Sequence, residues 1–79
     1  MTFETLRDVI FARPFNPFVL KLADGRALRV DHPEFVGFVG DKRTLMLSFA
    51  GTGHFELIDL IFINSVEVGG GKTPRRKAG

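Results

Sequence analysis

Apolar and polar residues alternate along two neighbouring stretches near the start of the chain, and this two-residue period predicts a β-hairpin. Every second residue from Phe18 to Leu22 is large and apolar, and the pattern returns at Leu28 and Val30. Between the two arms stands Asp24-Gly25, and glycine in that position supplies the positive φ that a two-residue hairpin turn needs. The register of both arms is expected to follow from this turn.

The first residues of the chain have a helical period instead. Residues 2–12 predict one amphipathic helix, in which Thr2 is the cap and Glu4 lies favourably in the first turn. Pro14 ends this helix, because it restricts the residue before it to extended conformations. The apolar side of the helix consists of Phe3, Leu6, Val9 and Ile10.

After the hairpin the pattern predicts further short strands separated by sharp turns. Residues 31–35 contain Pro33, which interrupts a strand and favours a turn or one helical loop. Four consecutive apolar residues from Leu60 break strict alternation, so a 3₁₀ turn near residues 59–62 is expected to restore the register. The predicted strands cover residues 36–39, 44–50, 54–59 and 63–68.

These elements predict a mainly β domain over residues 1–69, with one N-terminal α-helix. Its expected architecture is a small five-stranded antiparallel barrel of the SH3-like or Sm-like type, because closing such a sheet hides its edges. The alternative is an open curved sheet with the helix packed on one face. Residues 70–79 are rich in Gly, Lys and Arg and are expected to form a disordered basic tail.

The apolar composition changes the picture, because a chain of 79 residues has room for only one small and marginally stable core. Nine phenylalanines exceed what such a core can enclose, so some are expected on a surface that contacts a partner. The leading hypothesis is therefore a non-catalytic module that forms a homo-oligomer or binds another protein. The candidate interaction surface is Phe15, Phe35, Phe38 and Phe62.

Charge divides the chain into two unequal parts. Residues 1–69 carry a net charge of −2, whereas the last ten residues carry +4. The basic tail gives an alternative hypothesis, a nucleic-acid-binding protein of Sm-like layout in which the tail contacts phosphates. The candidate nucleic-acid-binding residues are Lys72, Arg75, Arg76 and Lys77.

The absence of cysteine removes disulfides, thiolate metal sites and cysteine nucleophiles, and it fits a reducing cytosol. The first residues include Glu4 and Asp8 where a secretory signal would be positive, and the most apolar run, residues 57–63, contains Asp59. We therefore expect a cytoplasmic protein that neither crosses nor binds a membrane.

The polar residues that could perform chemistry do not form a recognisable catalytic set. His32 with Glu34 and His54 with Glu56 have the two-residue spacing that could place metal ligands on one side of a strand. Such pairs are also common on solvated strands, so we expect no metal, no other cofactor, no small-molecule substrate and no catalytic residues. His32 is expected to bond to nearby backbone. Asp59 is expected either to cap the turn that follows it or to pair with an arginine such as Arg26 or Arg29.

Short motifs are spread along residues 14–67, namely Pro14-Phe15, Pro17-Phe18, Leu20, Leu22, Asp24-Gly25-Arg26, His32-Pro33-Glu34-Phe35, Ile58-Asp59-Leu60 and Ser65-Val66-Glu67. These motifs resemble a set of short bacterial proteins of unknown function, and this resemblance brings no activity with it. The order of the elements is also similar to that of the bacterial Sm-like RNA chaperones, which form rings through the edges of their last strands and bind RNA on a ring face. This chain has Leu60-Ile61-Phe62 where those chaperones have a Lys-His pair.

Overall fold

The structure, a computed structural model, describes residues 1–49 and 51–69. It contains one helix, six strands and two 3₁₀ turns. The predicted tail over residues 70–79 lies outside the described residues. The elements are α1 (Phe3–Ile10), β1 (Phe18–Leu22), β2 (Ala27–Val30), the first 3₁₀ turn (Pro33–Phe35), β3 (Val36–Phe38), β4 (Thr44–Phe49), β5 (His54–Asp59), the second 3₁₀ turn (Leu60–Phe62) and β6 (Ile63–Val68).

The prediction of a mainly β domain with one N-terminal helix is confirmed. The strands form two antiparallel sheets of three strands each, in the orders β2-β1-β6 and β3-β4-β5. Within residues 1–49 and 51–69 no strand pairing joins the two sheets into a closed barrel. The described residues thus form six strands in two sheets, each with two edge strands, and the five-stranded barrel stays a prediction.

Helix α1 closes one side of the core. The Thr2 hydroxyl accepts a hydrogen bond from the backbone N–H of Thr5 at 3.2 Å, which satisfies one of the free donors at the helix start. Leu6 and Ile10 lie one turn apart and are both buried. They join a single cluster with apolar residues from both sheets and from the second 3₁₀ turn, namely Phe18, Leu20, Leu22, Val30, Leu45, Leu47, Ile58, Leu60 and Ile63.

The β1–β2 hairpin forms where the alternation predicts it, but its loop is one residue longer than expected. The N–H of Leu22 donates to the carbonyl of Arg26 at 2.9 Å, so three residues, and not two, lie between the paired positions. Gly25 has a φ of +94°, as the turn requires. The Asp24 carboxylate accepts from the backbone N–H of Arg26 at 3.1 Å and holds the loop closed.

The second 3₁₀ turn begins at Asp59, and one of the two predicted roles of this residue is confirmed. Its carboxylate accepts a hydrogen bond from the backbone N–H of Ile61 at 3.0 Å and so caps the turn. The predicted ion pair does not form, because Arg26 binds Asp24 and Glu56 while Arg29 binds Asp31. Asp59 therefore stabilises the turn by a hydrogen bond to its backbone, although Asp59 itself is exposed.

This turn also ties the two sheets together. The N–H of Leu60 donates to the carbonyl of Arg43, at the start of β4, at 2.8 Å. The carbonyl of Phe62 accepts from the N–H of Ala23, at the end of β1, at 2.8 Å. The short turn therefore fixes how β5, in one sheet, continues into β6, in the other.

Candidate interaction surface

The outer face of the β3-β4-β5 sheet is apolar. In β4 and β5 the residues that alternate with the buried ones point away from the core, and Met46 lies opposite Leu57 while Ser48 lies opposite Phe55. Leu57 and Phe55 are each 56% exposed and Met46 is 40% exposed. Opposite Met46 on β3 stands Gly37, which adds no side chain to cover this face. We call Met46, Phe55 and Leu57 the outer patch.

The outer face of the other sheet differs, because charged residues occupy it. Lys21 on β1 forms an ion pair with Glu67 on β6 at 3.4 Å. Arg29 on β2 forms one with Asp31 at 2.6 Å. These ion pairs make the outer face of the β2-β1-β6 sheet polar. The outer patch therefore reflects the particular residues of β4 and β5, and it is not a general property of this small domain.

Strand β5 also forms one edge of its sheet. It has six residues and pairs on one side only, with β4. Natural sheets protect such edges with charges, prolines or short strands. The outer face of β5 has Phe55 and Leu57 in its middle and a carboxylate only at its last residue, Asp59. The one charge in the middle of the strand, Glu56, points inward and is neutralised by Arg26, so on its outer face the edge of β5 has no charge that opposes pairing with another chain before Asp59.

The inner side of β5 is held by the tip of the β1–β2 hairpin. The Arg26 guanidinium donates two hydrogen bonds to Glu56, at 3.0 Å to Oε1 and 2.7 Å to Oε2, and a third to Asp24 Oδ2 at 2.9 Å. The hydrogen bonds from Arg26 lower the pKa of Glu56. The pKa of Asp24 is lowered first by the backbone N–H of Arg26 and then by its side chain. The two carboxylates raise the pKa of Arg26 in turn. This cluster fastens the hairpin of one sheet to β5 of the other.

No family model, no curated protein and no solved structure matches this chain. Any function of the outer patch must therefore be inferred from the exposure of its residues, from their strand pairing and from the charges around them. Among the described residues there is also no helix with the length and apolar character needed to pass through a bilayer.

The four phenylalanines predicted as an interaction surface lie in different environments. Phe15 packs on Phe18 with their ring centroids 5.9 Å apart, and Phe38 packs on Phe3 at 4.6 Å, so both are partly buried against the core. Phe35 is partly buried beside the ring of His32. Only Phe62 is largely exposed, at 46%.

The exposed apolar residues that the sequence reasoning missed are those of the outer patch and Ile61, together with Phe11, Val39 and Val68. Ile61 lies beside Phe62 in the second 3₁₀ turn and is 80% exposed. The alternation of Leu45 with Leu47 does contain a signal for Met46, because it assigns that residue to the opposite face. Phe55 and Leu57 share that face through their pairing with β4.

The possible metal ligands each make contacts with different neighbours. His32 stacks against Phe35 at 5.9 Å and His54 against Phe49 at 5.4 Å. Glu56 is occupied by Arg26. Among residues 1–49 and 51–69 no group of three or more His, Asp or Glu side chains is arranged to hold a metal ion.

Two further sequence predictions concern polar groups. The His32 side chain makes no capping hydrogen bond at the first 3₁₀ turn, so its predicted bond to the backbone there is wrong. It lines an open groove of about 290 Å³ instead, next to the Arg29–Asp31 ion pair. The candidate nucleic-acid-binding residues Lys72, Arg75, Arg76 and Lys77 lie outside the described residues.

Proposed function

We propose that this chain is a non-catalytic interaction module that associates through the outer patch and the free edge of β5, and that its partner is a second copy of the same chain. The observation that carries this proposal is the coincidence of the two features on one strand. An apolar face alone or an open edge alone is common, but together they provide burial and backbone hydrogen bonding in one contact.

The outer patch adds apolar contact to the hydrogen bonding of the edge. Full burial of a leucine or phenylalanine side chain contributes about 1.5–3 kcal/mol. Pairing at the edge of β5 would cover only the part of Phe55 and of Leu57 that faces the partner strand, so each would contribute less than about 1 kcal/mol. Pairing of the edge adds hydrogen bonds that also fix the orientation. A domain of 79 residues has little stability of its own, and association adds to it by mass action.

Charge favours a second copy as the partner. A strongly charged surface would repel its own copy and select a partner of opposite sign. The outer face of β4 and β5 has only one charged residue, Asp59, and it lies at the end of the strand. Two such strands can pair edge to edge without placing like charges at the centre of their outer face.

The SH3-like or Sm-like layout belongs to the same proposal. It is supported by the order of elements, in which a helix precedes the strands and a 3₁₀ turn precedes the last one. In this interpretation the two sheets are the halves of a small barrel that is open between β5 and β6. Such an opening would leave the edge of β5 available to a partner.

Sedimentation velocity over a range of protein concentrations tests the self-association. The wild-type chain is expected to shift from monomer to a larger species as its concentration rises. Leu57→Glu should raise the dissociation constant at least about tenfold, because it removes apolar contact in both copies and adds like charges to the contact. The matched control is Ala27→Glu, which makes the same charge change on an exposed position of β2, opposite Lys21.

Circular dichroism of each variant shows whether it is folded before the comparison is made. A wild-type chain that stays monomeric at millimolar concentration would refute the proposal. So would an equal loss of association in Leu57→Glu and Ala27→Glu, because the contact would then not depend on the outer patch.

A further inference from the structure

We infer that two copies associate around a two-fold axis, with β5 of one copy pairing antiparallel with β5 of the other and Leu57 at the axis. This inference rests on the proposed function and goes beyond it by defining the symmetry and the register. Its product is a closed dimer with one continuous six-stranded sheet.

The symmetry follows from the properties of the four sheet edges. Strand β2 carries Arg29 on its outer face, and β6 carries Glu67 on its outer face. Strand β3 is only three residues long. A head-to-tail assembly needs two different surfaces that suit each other, whereas a two-fold contact uses the same surface twice. Since β5 alone is long and has apolar residues in the middle of its outer face, the contact is a two-fold one.

The register of the β5–β5 pair follows from which residues of β5 face outward and from where its charged residues lie. Residues directly opposite each other in a sheet point to the same face, so Leu57 must lie opposite another outward-facing residue if the two cores are to share one side. An axis at Glu56 would place two glutamates opposite each other. An axis at Phe55 would pair only the first half of the strand. An axis at Leu57 pairs residues 55–59 of both copies.

This register also keeps the two Asp59 residues apart, and it places the two Glu56 residues, each bound by Arg26 of its own copy, two positions apart on the inner face. Asp59 of one copy lies opposite Phe55 of the other, so the two Asp59 residues are four positions apart, or about 13 Å along the strand direction. Each Leu57 has Met46 as its neighbour on the other side. The two outer patches therefore join into one apolar strip, in which the leucines are central and the methionines flank them.

Disulfide cross-linking tests both the symmetry and the register, because the chain has no native cysteine. Directly opposed residues of an antiparallel pair have Cα atoms about 4.5–5.5 Å apart, within the range of about 4.4–6.8 Å that a disulfide spans. Leu57→Cys is expected to form a covalent dimer under mild oxidation. Phe55→Cys, placed about 13 Å from its own copy along the strand, should remain uncrosslinked. Ser65→Cys on β6 is the control for random collisions at an exposed position.

The outcomes separate the inference from the proposed function. If the wild-type chain associates but folded Leu57→Cys gives no more covalent dimer than Ser65→Cys, the two-fold register is wrong and the self-association stands. A covalent species that appears only when Leu57→Cys and Ser65→Cys chains are mixed would establish a head-to-tail contact between β5 and β6 and overturn the symmetry. A chain that sediments as a monomer at every concentration would refute the proposed function itself.

Discussion

The hydrogen bond from the Ile61 N–H to the Asp59 carboxylate gives a sharp test of how the second 3₁₀ turn is held. Asp59→Ala removes the acceptor and leaves the backbone unchanged. The bond is 3.0 Å long and Asp59 is exposed, so water can replace part of what is lost. Removing a capping side chain costs about 0.5–2 kcal/mol, and an exposed cap should cost about 1 kcal/mol.

Such a loss is readily measured in a domain this small. A change of 1 kcal/mol in the free energy of unfolding shifts the melting temperature of a domain of 60–100 residues by about 4–8 °C. Thermal and urea unfolding should be followed by circular dichroism at one low protein concentration, so that association does not contribute. Hydrogen exchange of the Ile61 amide should also accelerate in Asp59→Ala, because its acceptor is gone.

Two variants separate the cap from the charge. Asp59→Asn retains an acceptor of nearly equal capping strength and should stay within a few tenths of a kcal/mol of the wild type. Asp8→Ala removes an exposed carboxylate that contacts only Arg7 and should leave the melting temperature nearly unchanged. Equal destabilisation by Asp59→Ala and Asp59→Asn would assign the effect to charge. An unchanged melting curve for Asp59→Ala would show that the cap contributes nothing.

Two other predictions concern the hairpin and its contact with β5. Gly25→Ala should destabilise the fold by about 1–2 kcal/mol in urea unfolding, because φ at Gly25 is +94°, whereas Gly37→Ala, with open space around it, should not destabilise it. Because the folded-state pKa of Glu56 lies below its ordinary value of 4.5, its contribution to stability is complete above that pH and is lost as pH falls through the folded value. Arg26→Ala should therefore raise the pKa of Glu56 toward 4.5 in NMR titrations and flatten the loss of stability in acid; an unaltered titration would contradict the contact.

Local periodicity explains why so many elements could be predicted. The alternation around Leu20 needs no knowledge of distant residues, and the bounds of β5 and β6 agree with the predicted ones. The closure of a barrel depends instead on pairing between residues far apart in the chain, which no local pattern specifies. The hairpin loop has three residues because Leu22 pairs with Arg26, and that extra hydrogen bond is not visible in the Asp-Gly signal.

The candidate site was harder to predict, because composition indicates a surplus of apolar residues but not where they lie. Phe15 lies in a loop and Phe38 in a short strand, where the sequence was compatible with either a buried or an exposed side chain. Both pack against the core. Leu57 is followed by another apolar residue, Ile58, so the chain itself does not say which of the two faces inward. The register with β4 decides it, since Leu57 pairs with the outward-facing Met46.

The contacts that β5 makes with the rest of the domain hold its free edge in one conformation. Its other edge is paired along its whole length with β4, its inner side is held at Glu56 by Arg26, and its last residue, Asp59, caps the turn tied to both sheets. A partner strand would meet an edge that is already ordered, so little conformational entropy would be lost on binding. The contacts that stabilise the monomer thus also prepare β5 for association, and the outer patch supplies the apolar surface that makes such pairing favourable.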